Sequence, residues 1–167
     1  FFDHNVAQNI IAKKGNADIV TATNVFAHID NIHYFAENIK MLLKDNGILV
    51  IEVPYLLDMI ENMTFDDIYH EHLSYFSVTP LVYFFKKMKM NIFKIEHVDS
   101  HGGSLRIFVK KNDGKYKIDS SVKSMIENEI NLGINNFETY KKFADRIYET
   151  KIRLVKFIKE IKAKKKV

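Results

Sequence analysis

Residues 18–53 read DIVTATNVFAHIDNIHYFAENIKMLLKDNGILVIEV, and they decide the fold class. The opening six, Asp18 to Thr23, are β-branched and apolar, the composition of a short strand in a buried parallel sheet. Ile48 to Val53 (ILVIEV) has the same character and is stopped by Pro54. Between them Ile32, Phe35, Ile39, Leu42 and Leu43 recur at helical spacing. This predicts a helix over roughly Asn31 to Leu43, with Asp30 or Asn31 as N-cap. Asp45-Asn46-Gly47 supplies the turn into the second strand. Strand, helix, strand in that order is a βαβ unit, and hence a parallel pair in an α/β sheet.

Upstream, Val6 to Lys14 reads as a helix that Gly15 ends, in the position glycine favours after a helix. Downstream, Ser77 can cap a helix from Val78 to about Lys89, with Pro80 tolerated in its first turn. Asn91 to Val98 (NIFKIEHV) and Leu105 to Lys110 (LRIFVK) read as strands joined by the tight turn His101-Gly102-Gly103-Ser104. So short a connection implies an antiparallel hairpin at the sheet edge. Residues 111–117 form a polar linker. Two helices follow, Ser120 to Leu132 and about Asn136 to Lys165. In the second, Phe143, Ile147, Leu154, Ile158 and Ile161 make one stripe opposite a lysine-rich face, the pattern of a solvated helix lying against a domain. There is no internal repeat.

The chain has 167 residues, 47% of them hydrophobic, enough for one compact domain and a helical appendage. The net charge of +4 is a property of the tail: from Lys151 to Val167 eight basic residues face one acid, +7, leaving 4 − 7 = −3 for the remainder. The tail carries a single aromatic, Phe157, and no recognition motif, so neither nucleic acid nor a membrane surface is an expected partner. There is no cysteine, hence no disulfide framework and no thiolate metal site. No apolar run reaches transmembrane length, and the opening residues do not read as a signal peptide. These features lead to the expectation of a cytoplasmic protein.

Proton-moving groups concentrate in FDDIYHEHLSYF, Phe65 to Phe76: Asp66, Asp67, Tyr69, His70, Glu71, His72 and Tyr75. Phe65, Ile68, Leu73 and Phe76 are expected to wall the cluster from water. Ligands of open α/β sheets bind beyond the carboxyl ends of the strands. Asn24 to His28 follows the first strand and Glu52 to Tyr55 ends the second, so both should converge with the central stretch on one cleft. An isolated His-X-His is also explained by core histidines, a helix cap or a metal site, although no third ligand stands at fixed spacing. Asn24 is equally suited to capping a turn. The glycine turn exposes amide N–H groups that can meet phosphate or sugar hydroxyls, and Arg106 can pair with a phosphate, but two glycines at a hairpin also serve backbone freedom alone.

NVFAHID (24–30), DNGILVIEVPYL (45–56), FDDIYHEHLSYFS (65–77) and HGGSLRIFV (101–109) together resemble the S-adenosylmethionine-dependent nucleotide-sugar C-methyltransferases. The resemblance implies an α/β fold: the C-terminal half of a Rossmann-like methyltransferase sheet with an antiparallel edge hairpin, followed by a helical extension. Residues 1–112 would be the second half of the core, and residues 113–167 a helical connector to a missing C-terminal domain. The family's usual cysteine-rich zinc domain and glycine-rich cofactor loop have no counterpart here, so the chain looks like an internal piece of a longer enzyme. The implied cofactor is S-adenosylmethionine, with zinc only in the missing N-terminal domain, and the implied substrate is a nucleotide-linked keto-sugar. By the same resemblance His72 is the base that forms an enolate, with Glu71 and Tyr69 beside it; His28, at the end of the first strand, is the second histidine expected to face the cleft and the fourth catalytic candidate. Glu71 is expected to orient or balance charge. Ala22, Thr23 and Asn24 fall beside the cofactor, and Tyr55, His101, Gly102, Gly103 and Arg106 on the substrate side. The rival readings are a non-catalytic methyltransferase-like small-molecule binder and a helical interaction module.

Overall fold

A computed structural model describes residues 2–164. Four strands form one mixed sheet in the order β1-β2-β4-β3: β1 (Ala17–Thr23), β2 (Leu43–Pro54), β3 (Met90–Val98) and β4 (Ser104–Lys111). β1 and β2 are parallel, as the βαβ reading requires, with α2 (Ile32–Leu42) as the crossover. β4 runs antiparallel to both β2 and β3, so the hairpin turns inward and β3 is the edge on that side. This is the expected α/β architecture with an antiparallel hairpin and a helical extension.

One face of the sheet is apolar: Leu49, Ile51 and Val53 of β2, Leu105, Ile107 and Val109 of β4, and Ile92 and Ile95 of β3, all buried. Phe35 and Ile39 of α2, Leu81 and Phe85 of α4 (Val78–Lys87) and Val122 of α5 (Ser120–Asn131) complete this core. The opposite face is half-exposed and carries a charged row, Glu52–Arg106–Glu96, in cross-strand register. Among the described residues, 2–164, β1 pairs with β2 alone. It is an edge strand, with Ile19 60% exposed.

Local signals set most boundaries. Asn31 Oδ1 accepts from the Tyr34 amide and caps α2. Asp3 caps α1 (His4–Lys14), which starts two residues earlier than its apolar pattern suggests, and Gly15 ends it at φ 78°. Asp45-Asn46-Gly47 is not a free turn. It lies inside β2, where residues between Leu43 and Ile48 bulge opposite Asp18, and Lys44 Nζ meets Asp18 there at 2.8 Å. Ser77 sits at the N-cap of α4 in extended conformation, yet its side chain makes no capping bond. The last helix, α6 (Phe137–Lys164), is divided. Phe143 is buried and Ile147 packs on the core, whereas Leu154, Ile158 and Ile161 are exposed, so the stripe lies against a domain only in its first part. The expected end of this helix at Lys165 falls outside the described residues. Among the described residues no helix is long and apolar enough to cross a membrane.

Candidate active site

The carboxyl ends of β1 and β2 open on a cleft of about 200 Å³ lined by Asn24, Ala27, His28, Pro54, Asp67, Tyr69, His72 and His101. Four segments distant in sequence supply it. A single 3-10 turn (Phe26–His28) follows β1 and turns His28 toward the cleft while anchoring through Phe26, which is fully buried and stacks on Phe76 at 5.0 Å. After β2, α3 (Leu56–Asn62) ends on Met63 at φ 60°, and a second 3-10 turn (Phe65–Asp67) leads into the loop bearing Tyr69 and His72. Leu73 N donates to Ala27 O, which fastens this loop to the turn after β1.

Both histidines are held by their Nδ1 atoms. His72 Nδ1 lies 2.8 Å from Asp67 O, and His28 Nδ1 lies 2.9 Å from Glu71 O. A carbonyl oxygen only accepts, so each Nδ1 carries the hydrogen and each neutral ring keeps its lone pair on Nε2. The ring centroids are 4.9 Å apart. Tyr69 OH stands 3.5 Å from His72 Nε2, at the outer limit of a hydrogen bond.

The geometry changes the role expected of Glu71. Its side chain is exposed, with Oε1 4.0 Å from His70 Nε2. What Glu71 contributes to orientation is its main-chain carbonyl, and it orients His28 rather than His72. The expected apolar wall is also incomplete. Phe76 is buried, but Ile68 and Leu73 are 52% and 55% exposed.

Asn24 takes a left-handed conformation, φ 53°, as Asn tolerates better than most residues. Its amide N–H bonds Glu52 O, while its Oδ1 is buried without a partner. An unpaired buried acceptor asks for a partner, which a water or a ligand donor can supply. The amino group of a methionine moiety is such a donor, so this position fits the cofactor expectation. Ala22 is buried behind it and Thr23 is exposed at the strand end.

The turn after β3 reaches the cleft through His101 (φ 50°), followed by Gly102 (φ 80°) and Gly103 (φ 117°). Gly103 is buried against α3: a Cβ there would lie 2.3 Å from the Asp58 carboxyl group. Asp58 in turn accepts from His97 Nε2 at 2.7 Å. Gly102 and Gly103 present carbonyls inward, to Asn62 Nδ2 and Tyr55 N.

Two residues expected on the substrate side are engaged elsewhere. The Arg106 guanidinium donates to Glu52 Oε2 through Nε and Nη2, at 3.0 and 2.8 Å, and Nη1 lies 3.5 Å from Glu96. That pairing holds the Glu52 carboxyl below its ordinary range, with Ser100 Oγ as a further donor. Tyr55 is 2% exposed, and its hydroxyl donates to Glu129 Oε1 at 3.1 Å. Burial, then the Glu129 charge, pushes the Tyr55 phenol above its ordinary value. Glu129 was not legible as part of this region, because nothing in the sequence links position 129 to position 55. Among the described residues no group of three or more His, Asp or Glu side chains is arranged to hold a metal ion.

A family model described as "Methyltransferase domain" matches residues 1–88, and one described as "C-methyltransferase C-terminal domain" matches residues 99–167. The C-methyltransferase NovU of Streptomyces niveus is 32% identical over 162 residues, 97% of this chain. The chain spans 39% of that relative's length. Similar solved structures include a SAM-dependent methyltransferase from Anabaena variabilis (13% identity, 65% of this chain and 55% of that one, TM-score 0.48). An O-methyltransferase family protein from Burkholderia thailandensis is another (16% identity, 63% of this chain and 33% of that one, TM-score 0.43).

Proposed function

As the chain belongs to the family of methyltransferase domains, we propose that it carries the base-bearing half of a cytoplasmic S-adenosylmethionine-dependent C-methyltransferase acting on a nucleotide-linked keto-sugar. One observation carries the reading: His72 and His28, each locked with its hydrogen on Nδ1, share one cleft with the unpartnered Asn24 Oδ1. Methylating carbon requires loss of a proton beside a ketone. Imidazole, with an ordinary pKa near ~6.5, suits that work at neutral pH.

His72 Nε2 takes the alpha proton, and the Asp67 carbonyl stabilises the imidazolium through Nδ1–H. Tyr69 OH, only loosely held by His72, turns to the developing enolate oxygen. His28 opens its own Nε2 on the same cleft and accepts a hydrogen bond from a sugar hydroxyl. Asn24, with Ala22 and Thr23 behind and beside it, receives the amino end of the cofactor. S-Adenosylmethionine, when bound, supplies an electrophilic sulfonium methyl group. The remaining contribution of these residues is to hold ketone and donor in line and in proximity. His101 and the glycine turn close the substrate side.

Two measurements on the protein from its complete reading frame test this. Calorimetry should show binding of S-adenosylhomocysteine that weakens in Asn24→Ala. In deuterium oxide the keto-sugar should exchange its alpha proton, and His72→Asn should stop the exchange. A complete protein that binds no S-adenosylhomocysteine removes the enzyme reading, and undiminished exchange in His72→Asn removes the base.

A further inference from the structure

Glu129 is fully buried, on α5, away from the cleft lining. Its carboxylate accepts from four donors. Tyr55 OH and Val78 N meet Oε1, and Thr79 N and Thr79 Oγ1 meet Oε2 at 2.9 and 2.7 Å. A carboxylate offers about four acceptor positions, so all are used. Tyr55 is the first residue after β2, and Val78 and Thr79 open α4. Everything between them is the excursion that carries α3, Asp67, Tyr69 and His72. Its stems already meet through Leu56 N–H to Phe76 O, 2.9 Å, and a Tyr55–Phe76 bridge. Glu129 fastens both stems from outside.

Helix stability alone does not require this arrangement. Ser77 occupies the N-cap with suitable extended backbone and is the residue type that normally caps, yet it makes no capping bond. Burying a carboxylate instead costs several kcal/mol unless each acceptor is satisfied. A local cap would hold α4, but it would not hold Tyr55. A group reaching both ends adds a second fastening to the stems that Leu56 N–H and Phe76 O already join.

We propose that Glu129 is a positioning residue for His72. By clamping Tyr55 to the start of α4 it holds the His72 loop in the geometry where Asp67 O keeps the hydrogen on Nδ1 and Nε2 faces the cleft. The proposal rests on His72 being the base. It also makes α5, which lies in the stretch matched by the C-terminal domain model, a determinant of the cleft's chemistry.

The test uses the protein from its complete reading frame, with ¹⁵N-labelled histidine and the His72 signal assigned by its loss in His72→Asn. In Glu129→Gln the amide N–H₂ faces donors and the clamp opens. His72 should then move toward the Nε2–H tautomer that free imidazole prefers. The kcat of methyl transfer should fall roughly tenfold to a hundredfold, as misplacement of a reacting group does, with KM for the keto-sugar nearly unchanged. Val122→Ala, a core truncation on the same helix chosen to match the loss in Tm, should leave tautomer and kcat as they were. Thr79→Val, which removes one of the four bonds, should give a smaller shift in the same direction and serves if Glu129→Gln does not fold. An unchanged His72 tautomer in both clamp variants overturns the proposal, and so does an equal effect of Val122→Ala. A tautomer shift without loss of kcat keeps the clamp and removes the base reading instead.

Discussion

His28 and His72 stand with ring centroids 4.9 Å apart, each donating Nδ1–H to a main-chain carbonyl of the same loop, Glu71 O and Asp67 O. Main-chain acceptors fix a tautomer without adding a charge, so the pair keeps two Nε2 lone pairs in one cleft.

Replacing His72 by Asn should lower kcat by about 10²- to 10⁴-fold, the range for a lost general base. His72 is half-buried and lies outside the core, so Tm should change little. Steady-state rates with circular dichroism melts check both parts. A severe loss of Tm would make His72 structural.

Glu71→Gln keeps the carbonyl that holds His28. The ¹⁵N spectrum should therefore still report Nδ1–H at His28. A switch of tautomer there would assign the hydrogen bond to the carboxylate.

Gly102 and Gly103 should differ sharply. Gly102→Ala meets only Thr64 Cγ2 at an ordinary 3.5 Å but must hold φ 80°, a cost of about 1–2 kcal/mol. Gly103→Ala adds a collision with the Asp58 carboxyl at 2.3 Å, so its cost in urea melts should exceed that of Gly102→Ala. Equal costs would mean that α3 yields freely.

Acid stability should depend on Arg106. The folded Glu52 carboxyl lies below its ordinary 4.5, chiefly through the Arg106 hydrogen bonds. A depressed folded value gives stability that is full above pH 4.5 and lost as pH falls through the lower folded value. Arg106→Ala should flatten this part of the profile and raise the Glu52 value, read by ¹³C NMR titration. An unaltered profile would leave the pair without thermodynamic weight.

The last helix should respond by position. Phe143→Ala removes a buried ring and should cost ~3–5 kcal/mol. Leu154→Ala, at a site 55% exposed, should stay within ~0.5 kcal/mol in the chain of residues 1–167. A large loss at Leu154 would place a partner on that face.

Much of the fold was legible because its signals are short-range. Asn31 caps α2 through an amide three residues on, and Gly15 ends α1 in place. Leu49, Ile51 and Val53 alternate into the core at the period of a strand. The readings that changed each depended on a partner far along the chain. Asp45-Asn46-Gly47 looked like a free turn until pairing with β1 made it a bulge. Arg106 reads as a phosphate ligand until Glu52 and Glu96 stand beside it across the sheet. Leu154 and Phe143 share one helical stripe, yet only Phe143 meets the core.

The sequence by itself determined the longer helices, the centres of the four strands, the parallel unit and the residues able to move a proton, since hydrophobic period, capping and turn chemistry act within a few positions. Tertiary structure alone decided the strand order β1-β2-β4-β3, the pairing of His28 with Glu71 O, and the reach of Glu129 to Val78. Such contacts form between segments that packing brings together, and no spacing along a chain encodes which donor a buried acceptor will face.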